Sequence, residues 1–311
     1  MHSVKDKIDE PIYYGGQAVM EGVLMRGKGA YAMAVRAPNG EIQMVEKQLS
    51  SLATKYPVLK WPLVRGAYAL CSSMAMGFTA LSQSADIALS EETPPTSKFE
   101  KFLVEKLGDK LNSILTTLAM VLAVIMAVGI FMLLPTFLAS FIPVPAGLLG
   151  VVEGLLRMAI FIGYVFLISR NKDIQRVFQY HGAEHKAINC HEANVPLTTE
   201  NVAACTRLHK RCGTSFMLVV MVVAMLLFML VRIDGMWLRL ASRIITLPLI
   251  AGISYEISVK WAGRHDNALV RAIIFPGMCV QKITTKEPDE GQIEVAVAAL
   301  KQALAQDGVV V

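Results

Sequence analysis

From Leu111 to Val152 the chain carries not one charged residue. A helix needs about 20 apolar residues to cross the hydrocarbon core of a bilayer, so this run is long enough for two crossings. Pro135, Pro143 and Pro145, with Gly147, interrupt its middle and predict a tight turn near 141–146. One helix is expected at about 113–138 and a second at about 147–169. Cys212 to Val231 is a third uncharged run. A fourth apolar segment, at about 238–260, carries Arg239, Arg243 and Glu256 near its ends. Only 18% of the 311 residues are charged, whereas an average soluble domain has about 25%. The expected fold class is therefore mainly α: a polytopic membrane helical bundle of about four transmembrane helices, with a small N-terminal β-containing region.

That β region is read from turn chemistry. Tyr31–Val35 and Glu41–Val45 flank Pro38-Asn39-Gly40, and Asn-Gly tolerates the positive φ of a hairpin turn. Ala18–Met25 is expected as a further strand. Met1–Glu10 mixes Lys5 and Lys7 with Asp6, Asp9 and Glu10 and has no apolar core, so it does not read as a signal peptide. Gly66–Ala85 is uncharged but rich in small and hydroxyl residues. It suits a helix on, or dipping into, a membrane better than a full span.

The expected organisation has six parts. Residues 1–60 form the cytoplasmic β-hairpin region and 61–112 an interfacial or re-entrant helical region. Residues 113–169 form the first two spans, and 170–212 a His/Cys/Glu loop. Residues 213–262 form spans three and four, and 263–311 a C-terminal cytoplasmic region. Within the last, Pro288-Asp289-Glu290 opens an amphipathic helix running to about Ala305. Lys and Arg crowd the 170–211 segment, including Arg170, Lys172, Arg176, Lys186, Arg207, Lys210 and Arg211. By the positive-inside rule this segment and both termini face the cytoplasm, so the chain is expected in the cytoplasmic (inner) membrane as a multi-pass protein. Arg232, Arg239 and Arg243 fit that scheme poorly, because they fall on or next to the outer turn. The expected partners are membrane lipids and an unknown substrate or protein. Nucleic acid is not expected, since the net charge of +5 forms no dense basic stripe with interleaved aromatics.

The chemistry concentrates in the 170–212 segment. In His181-Gly-Ala-Glu184-His185, positions 181, 184 and 185 share one face if the segment is helical. Two imidazoles four apart can hold one metal ion with a carboxylate beside them. H-x-x-E-H is the inverted zinc-protease signature, in which the Glu is the general base. Cys190, His191, Cys205, His209 and Cys212 follow, and His209 and Cys212 are three apart, a spacing usable for zinc. The five cysteines are odd in number and irregular in spacing, which suits reduced thiols rather than a disulfide framework. The expected ligands are His181 and His185, completed from His209, Cys212 and Glu256, with Glu184 as the base and a divalent metal, zinc first, as the cofactor. Glu256 has an equal alternative, in which it pairs with Lys260 or reaches the membrane surface. Glu153 and Arg157, one turn apart inside the second span, read either as a polar site in the bundle or as a structural pair near the outer surface.

Four stretches together resemble the YqhQ-like family of bacterial membrane proteins. They are Gly15-Gly-Gln-Ala-Val-Met-Glu-Gly-Val-Leu-Met-Arg-Gly27, Tyr180-His-Gly-Ala-Glu-His-Lys186, Arg211-Cys-Gly-Thr-Ser-Phe216 and Pro276-Gly-Met-Cys-Val-Gln-Lys-Ile-Thr-Thr-Lys-Glu-Pro288. The resemblance covers nearly the whole chain. It implies a membrane protein carrying a domain of unknown function and described as a predicted metal-dependent enzyme, with His181, Glu184, His185, His209 and Cys212 at the matched positions. The family commonly has a Pro between the His and the Arg-Cys-Gly run, where this chain has Lys210. Two functions follow as expectations: a metal-dependent hydrolase at the cytoplasmic membrane surface, and a non-enzymatic scaffold or assembly factor held by structural zinc. A transporter built on Glu153 and Arg157 is a third.

Overall fold

The computed structural model describes residues 14–49, 52–89, 110–145, 147–230, 233, 235–265 and 267–309. Met1–Glu10, Ala146 and Arg232, each used above, lie outside them. Four strands come first: β1 (Gly15–Val19), β2 (Gly22–Arg26), β3 (Ala30–Arg36) and β4 (Ile42–Gln48). The helices follow as α1 (Leu52–Lys55), α2 (Val64–Ala88), α3 (Lys110–Val128), α4 (Leu134–Ala139), α5 (Leu149–Ile168), α6 (Lys172–Glu192) and α7 (Thr199–Ala204). They continue as α8 (Gly213–Leu230), α9 (Met236–Ile245), α10 (Leu247–Tyr255), α11 (Ala268–Thr284) and α12 (Glu290–Gln306). The chain divides into two compact units, one of residues 1–51, 176–209 and 285–311, the other of 52–175 and 210–284.

The first unit is built on an antiparallel meander in the order β1-β2-β3-β4. The β3–β4 hairpin closes at the expected Asn39-Gly40, with Gly40 at φ +87°. The Asn39 side chain fixes the turn by accepting from the Glu41 amide at 3.0 Å. Ala18–Met25, expected as one strand, is instead a hairpin in its own right: β1 and β2 pair across Met20-Glu21. Nothing local announces this turn, because Glu21 takes φ +50° without being Gly or Asn. Its carboxylate is held from afar by Arg176 and by the Tyr180 hydroxyl.

Val23 and Met25 stand on the same face as their cross-strand partners Ala34 and Ala32. That face forms a core with Tyr180, Ala183 and Ala187 of α6 and with Ile293, Ala296, Leu300, Ala303 and Leu304 of α12. The spacing of three and four in both helices sets these residues in one stripe. Helix α12 begins where expected, but the cap is Asp289 and Pro288 stands outside the first turn. Asp289 Oδ1 accepts from the Gln292 amide at 2.8 Å, and Gln292 Oε1 accepts from the Asp289 amide at 3.0 Å. This reciprocal capping box satisfies two otherwise unpaired amides.

The second unit is helical. Among the described residues, Thr117–Ala139, Leu149–Ile168 and Gly213–Leu230 are long and apolar enough to cross a membrane. Met236–Ile245 and Leu247–Arg264 form a fourth when taken together, bent by 42°. The bend follows from Pro248, which lacks an amide for the helical ladder. The 25-residue α2 is not among these candidates. Small residues bring the helices close: a Cβ on Gly150 would lie 2.6 Å from the Met229 amide, and one on Gly277 2.6 Å from Ser215 Cα. Glu153 and Arg157 do pair at 2.9 Å, and Glu153 is fully buried among the helices. Arg243, which fitted the charge rule poorly, joins them by donating to Glu153 Oε2 at 2.8 Å.

Candidate functional site

The expected 170–212 loop is largely helix α6, and that sets His181, Glu184 and His185 on adjacent positions of one helical face. The rings of His181 and His185 meet edge to face with centroids 4.5 Å apart. The ring of His209 lies 5.7 Å from that of His185. His185 Nδ1 is 2.7 Å from the Arg207 carbonyl oxygen, so Nδ1 carries the proton and donates. In the neutral ring Nε2 of His185 is then the lone-pair nitrogen, the tautomer a metal ligand requires. His209 Nε2 is 3.5 Å from a Glu192 carboxylate oxygen.

Side chains of α6 hold the strand of backbone that supplies Arg207 and His209. Lys186 Nζ donates to the Ala203 carbonyl at 2.8 Å and pairs with Glu287 at 2.5 Å. The Asn189 amide donates to the carbonyls of Thr206 and Leu208 at 2.7 and 3.1 Å. Arg207 in turn donates to Thr285 Oγ1 at 3.0 Å. The imidazoles are thus fixed through backbone that is itself pinned, which preorganises their geometry.

Glu184 is 5% exposed, and burial pushes its carboxyl above the usual carboxylate range. His181, His209 and a hydrogen bond from the Gly16 backbone act in the opposite sense. Strand β1 approaches this carboxylate closely. A Cβ on Gly16 would sit 2.8 Å from Glu184 Cγ and 2.7 Å from the Leu24 carbonyl oxygen. The sequence did not single out Gly16, Asn189, Glu192 or Arg207 as site residues. The paired glycines at 15 and 16 were the available signal, since two in succession permit close backbone approach.

The cysteines separate by environment. Cys190 belongs to the apolar core, with its Sγ 3.6 Å from the Val195 carbonyl, and Cys205 packs against that core. Burial, then Cys205, pushes the Cys190 thiol up to about 11. Cys212 lies in the second unit just before α8, where its Sγ accepts from the Thr214 amide at 3.4 Å. Glu256 also belongs to the second unit. There Arg65 grips its carboxylate, Nε donating at 2.7 Å, and the Leu63 amide donates at 3.3 Å.

The comparisons with known proteins agree with the resemblance. The family model described as "Protein of unknown function (DUF1385)" matches residues 61–306. A protein of Bacillus subtilis (strain 168) named "Uncharacterized protein YqhQ" is 36% identical over 307 residues, covering 94% of this chain and 93% of its own length. No solved structure matches. With most of its length under the family model and this identity sustained almost end to end, the chain belongs to the DUF1385 family.

Proposed function

We propose that the first unit carries a divalent-metal site serving hydrolysis at the cytoplasmic surface of a membrane. His181 and His185 are the proposed ligands, completed by His209, with Glu184 as general base. The observation that carries this reading is the hydrogen bond from His185 Nδ1 to the Arg207 carbonyl, beside an edge-to-face His181 ring. In the neutral ring that bond makes Nε2 the atom able to donate a lone pair, and a set of imidazoles suits zinc. Glu256 is left out, because Arg65 already occupies its carboxylate. When bound, such an ion supplies Lewis acidity to a water and to the bond being cleaved. Glu184, whose carboxyl burial pushes above the usual carboxylate range, is suited to take a proton from that water and return it to the leaving group.

A topological argument supports the membrane part. The first unit gathers residues 1–51, 176–209 and 285–311 into one compact body. If the apolar helices cross a bilayer, each intervening segment must make an even number of crossings. Thr117–Ala139 and Leu149–Ile168 satisfy this for the first segment, which leaves α2 uncrossed. Gly213–Leu230 and the bent α9–α10 pair satisfy it for the second. The basic 170–211 segment supports a cytoplasmic location for the first unit by the positive-inside rule.

A second reading, a scaffold with structural zinc, draws support from burial, since His185 and His209 are 1% and 5% exposed. The two readings separate in one experiment. Metal content of the detergent-purified protein is measured by elemental mass spectrometry for wild type, the double variant His181→Ala/His185→Ala, and Glu184→Gln. The metal-site proposal expects about one zinc-class ion per chain, lost in the double variant and kept in Glu184→Gln. A folded wild type without metal overturns it. Hydrolytic turnover abolished in Glu184→Gln at unchanged metal content supports the enzyme, and turnover retained there supports the scaffold.

A further inference from the structure

The second unit holds a group of charges that the proposed metal site does not use. Glu153 Oε1 accepts from Arg157 Nη2 at 2.9 Å, from Arg243 Nε at 3.0 Å and from Thr136 Oγ1 at 2.7 Å. Its Oε2 accepts from Arg243 Nη2 at 2.8 Å. Both guanidiniums lie over the Phe228 ring, Arg243 at 3.8 Å and Arg157 at 5.4 Å from its centroid. The Arg157 and Arg243 side chains are 9% and 3% exposed. Arg239 stands one helical turn before Arg243 on α9, so the two share a face.

One carboxylate therefore pairs with two guanidiniums in an apolar bundle, a third stands one turn away on α9, and their donors are not used up. Among the described residues, Arg157 Nη1 is buried with no hydrogen-bond partner, and so are Arg239 Nε and Nη1. Enclosed charged donors without acceptors are costly, and charges within a bundle persist where something compensates them. What is missing is negative charge with several acceptor oxygens. A planar guanidinium fork matches a phosphate in this way.

The position in the helices agrees. Helix α5 packs against α8 with Gly150 at Phe228 and Met229 and Gly154 at Met225, so the start of α5 meets the end of α8. Glu153 is the fifth residue of α5 and Arg239 the fourth of α9. At a rise of 1.5 Å per residue both lie within about 6 Å of their helix ends. The ends of membrane-spanning helices reach the level of lipid headgroups.

We propose that Arg157, Arg239 and Arg243 form a binding site for a phosphate group, carried by a lipid headgroup or free in solution, with Glu153 orienting two of the three guanidiniums. The test uses delipidated full-length protein in neutral detergent, with the thermal unfolding midpoint as readout. Separate titrations use phosphatidylglycerol, diacylglycerol with the same acyl chains, and inorganic phosphate. Arg239→Gln is the variant, because it leaves the Glu153 pairs intact. A lipid site is expected to raise the midpoint with phosphatidylglycerol well above diacylglycerol, and Arg239→Gln to shift half-saturation by roughly tenfold, the order of one charge-assisted hydrogen bond. Stabilisation by inorganic phosphate alone, lost in Arg239→Gln, assigns the site to a soluble anion. Equal effects of phosphatidylglycerol and diacylglycerol with no effect of phosphate overturn the proposal on wild-type protein alone. A response unchanged in Arg239→Gln also overturns it. None of these outcomes depends on the metal site.

Discussion

Gly16 shows how one missing methyl can decide whether a buried carboxylate is enclosed. Its backbone bonds Glu184, and no Cβ stands between strand and helix. Adding one would place it within 3.0 Å of a backbone oxygen and of two Glu184 carbons, so the strand must move. Gly16→Ala is expected to cost about 1–3 kcal/mol, as overpacking does. It should also lower metal content, because the strand that shifts is the one covering Glu184. Thermal unfolding and elemental analysis of the same preparation check both effects, and a variant with wild-type stability and metal would exclude the close approach. The face of His181, Glu184 and His185 was legible in the sequence, because i, i+3 and i+4 define a helical face locally. The covering strand was not, because Gly16 lies far along the chain from the helix it meets.

At the scale of elements, what could be read depended on whether the signal was local. The Asn39-Gly40 turn and the start of α12 were legible, since each is fixed by residues adjacent in the chain. The Met20-Glu21 turn was not, since its positive φ is stabilised by Arg176 and Tyr180 of α6. The cap of α12 offers a test of the local kind. Asp289→Ala removes one half of the capping box and is expected to cost about 1 kcal/mol, with Asp289→Asn losing less. The comparison of their unfolding midpoints measures it. Equal midpoints for Asp289→Ala and wild type would mean that packing of α12 on β2 and β3 holds the helix start without the cap.

For the whole molecule the decisive fact is that the first unit is assembled from three separated segments. That makes topology testable. Reporter fusions ending at Pro145 or Gly235 are expected to read out on the far side of the membrane, and fusions ending at Asn194 or Gln306 on the cytoplasmic side. A Gln306 fusion reading outside would mean that α9–α10 does not cross and would break the even-crossing argument.

By itself the sequence determined the kinds of element present: apolar helices long enough for a bilayer, an Asn-Gly hairpin, a capped C-terminal helix and a helical face carrying His181, Glu184 and His185. These depend on periodicity and capping, which act over a few neighbouring residues. Only the tertiary structure decided that Glu153 takes Arg243 as its partner from 90 positions away, that Glu256 is claimed by Arg65, and that Gly16 lies on Glu184. Such pairings are selected by the packing of whole elements, where burying a charge or a polar backbone demands a partner, and nothing in the local chain specifies which distant residue will supply it.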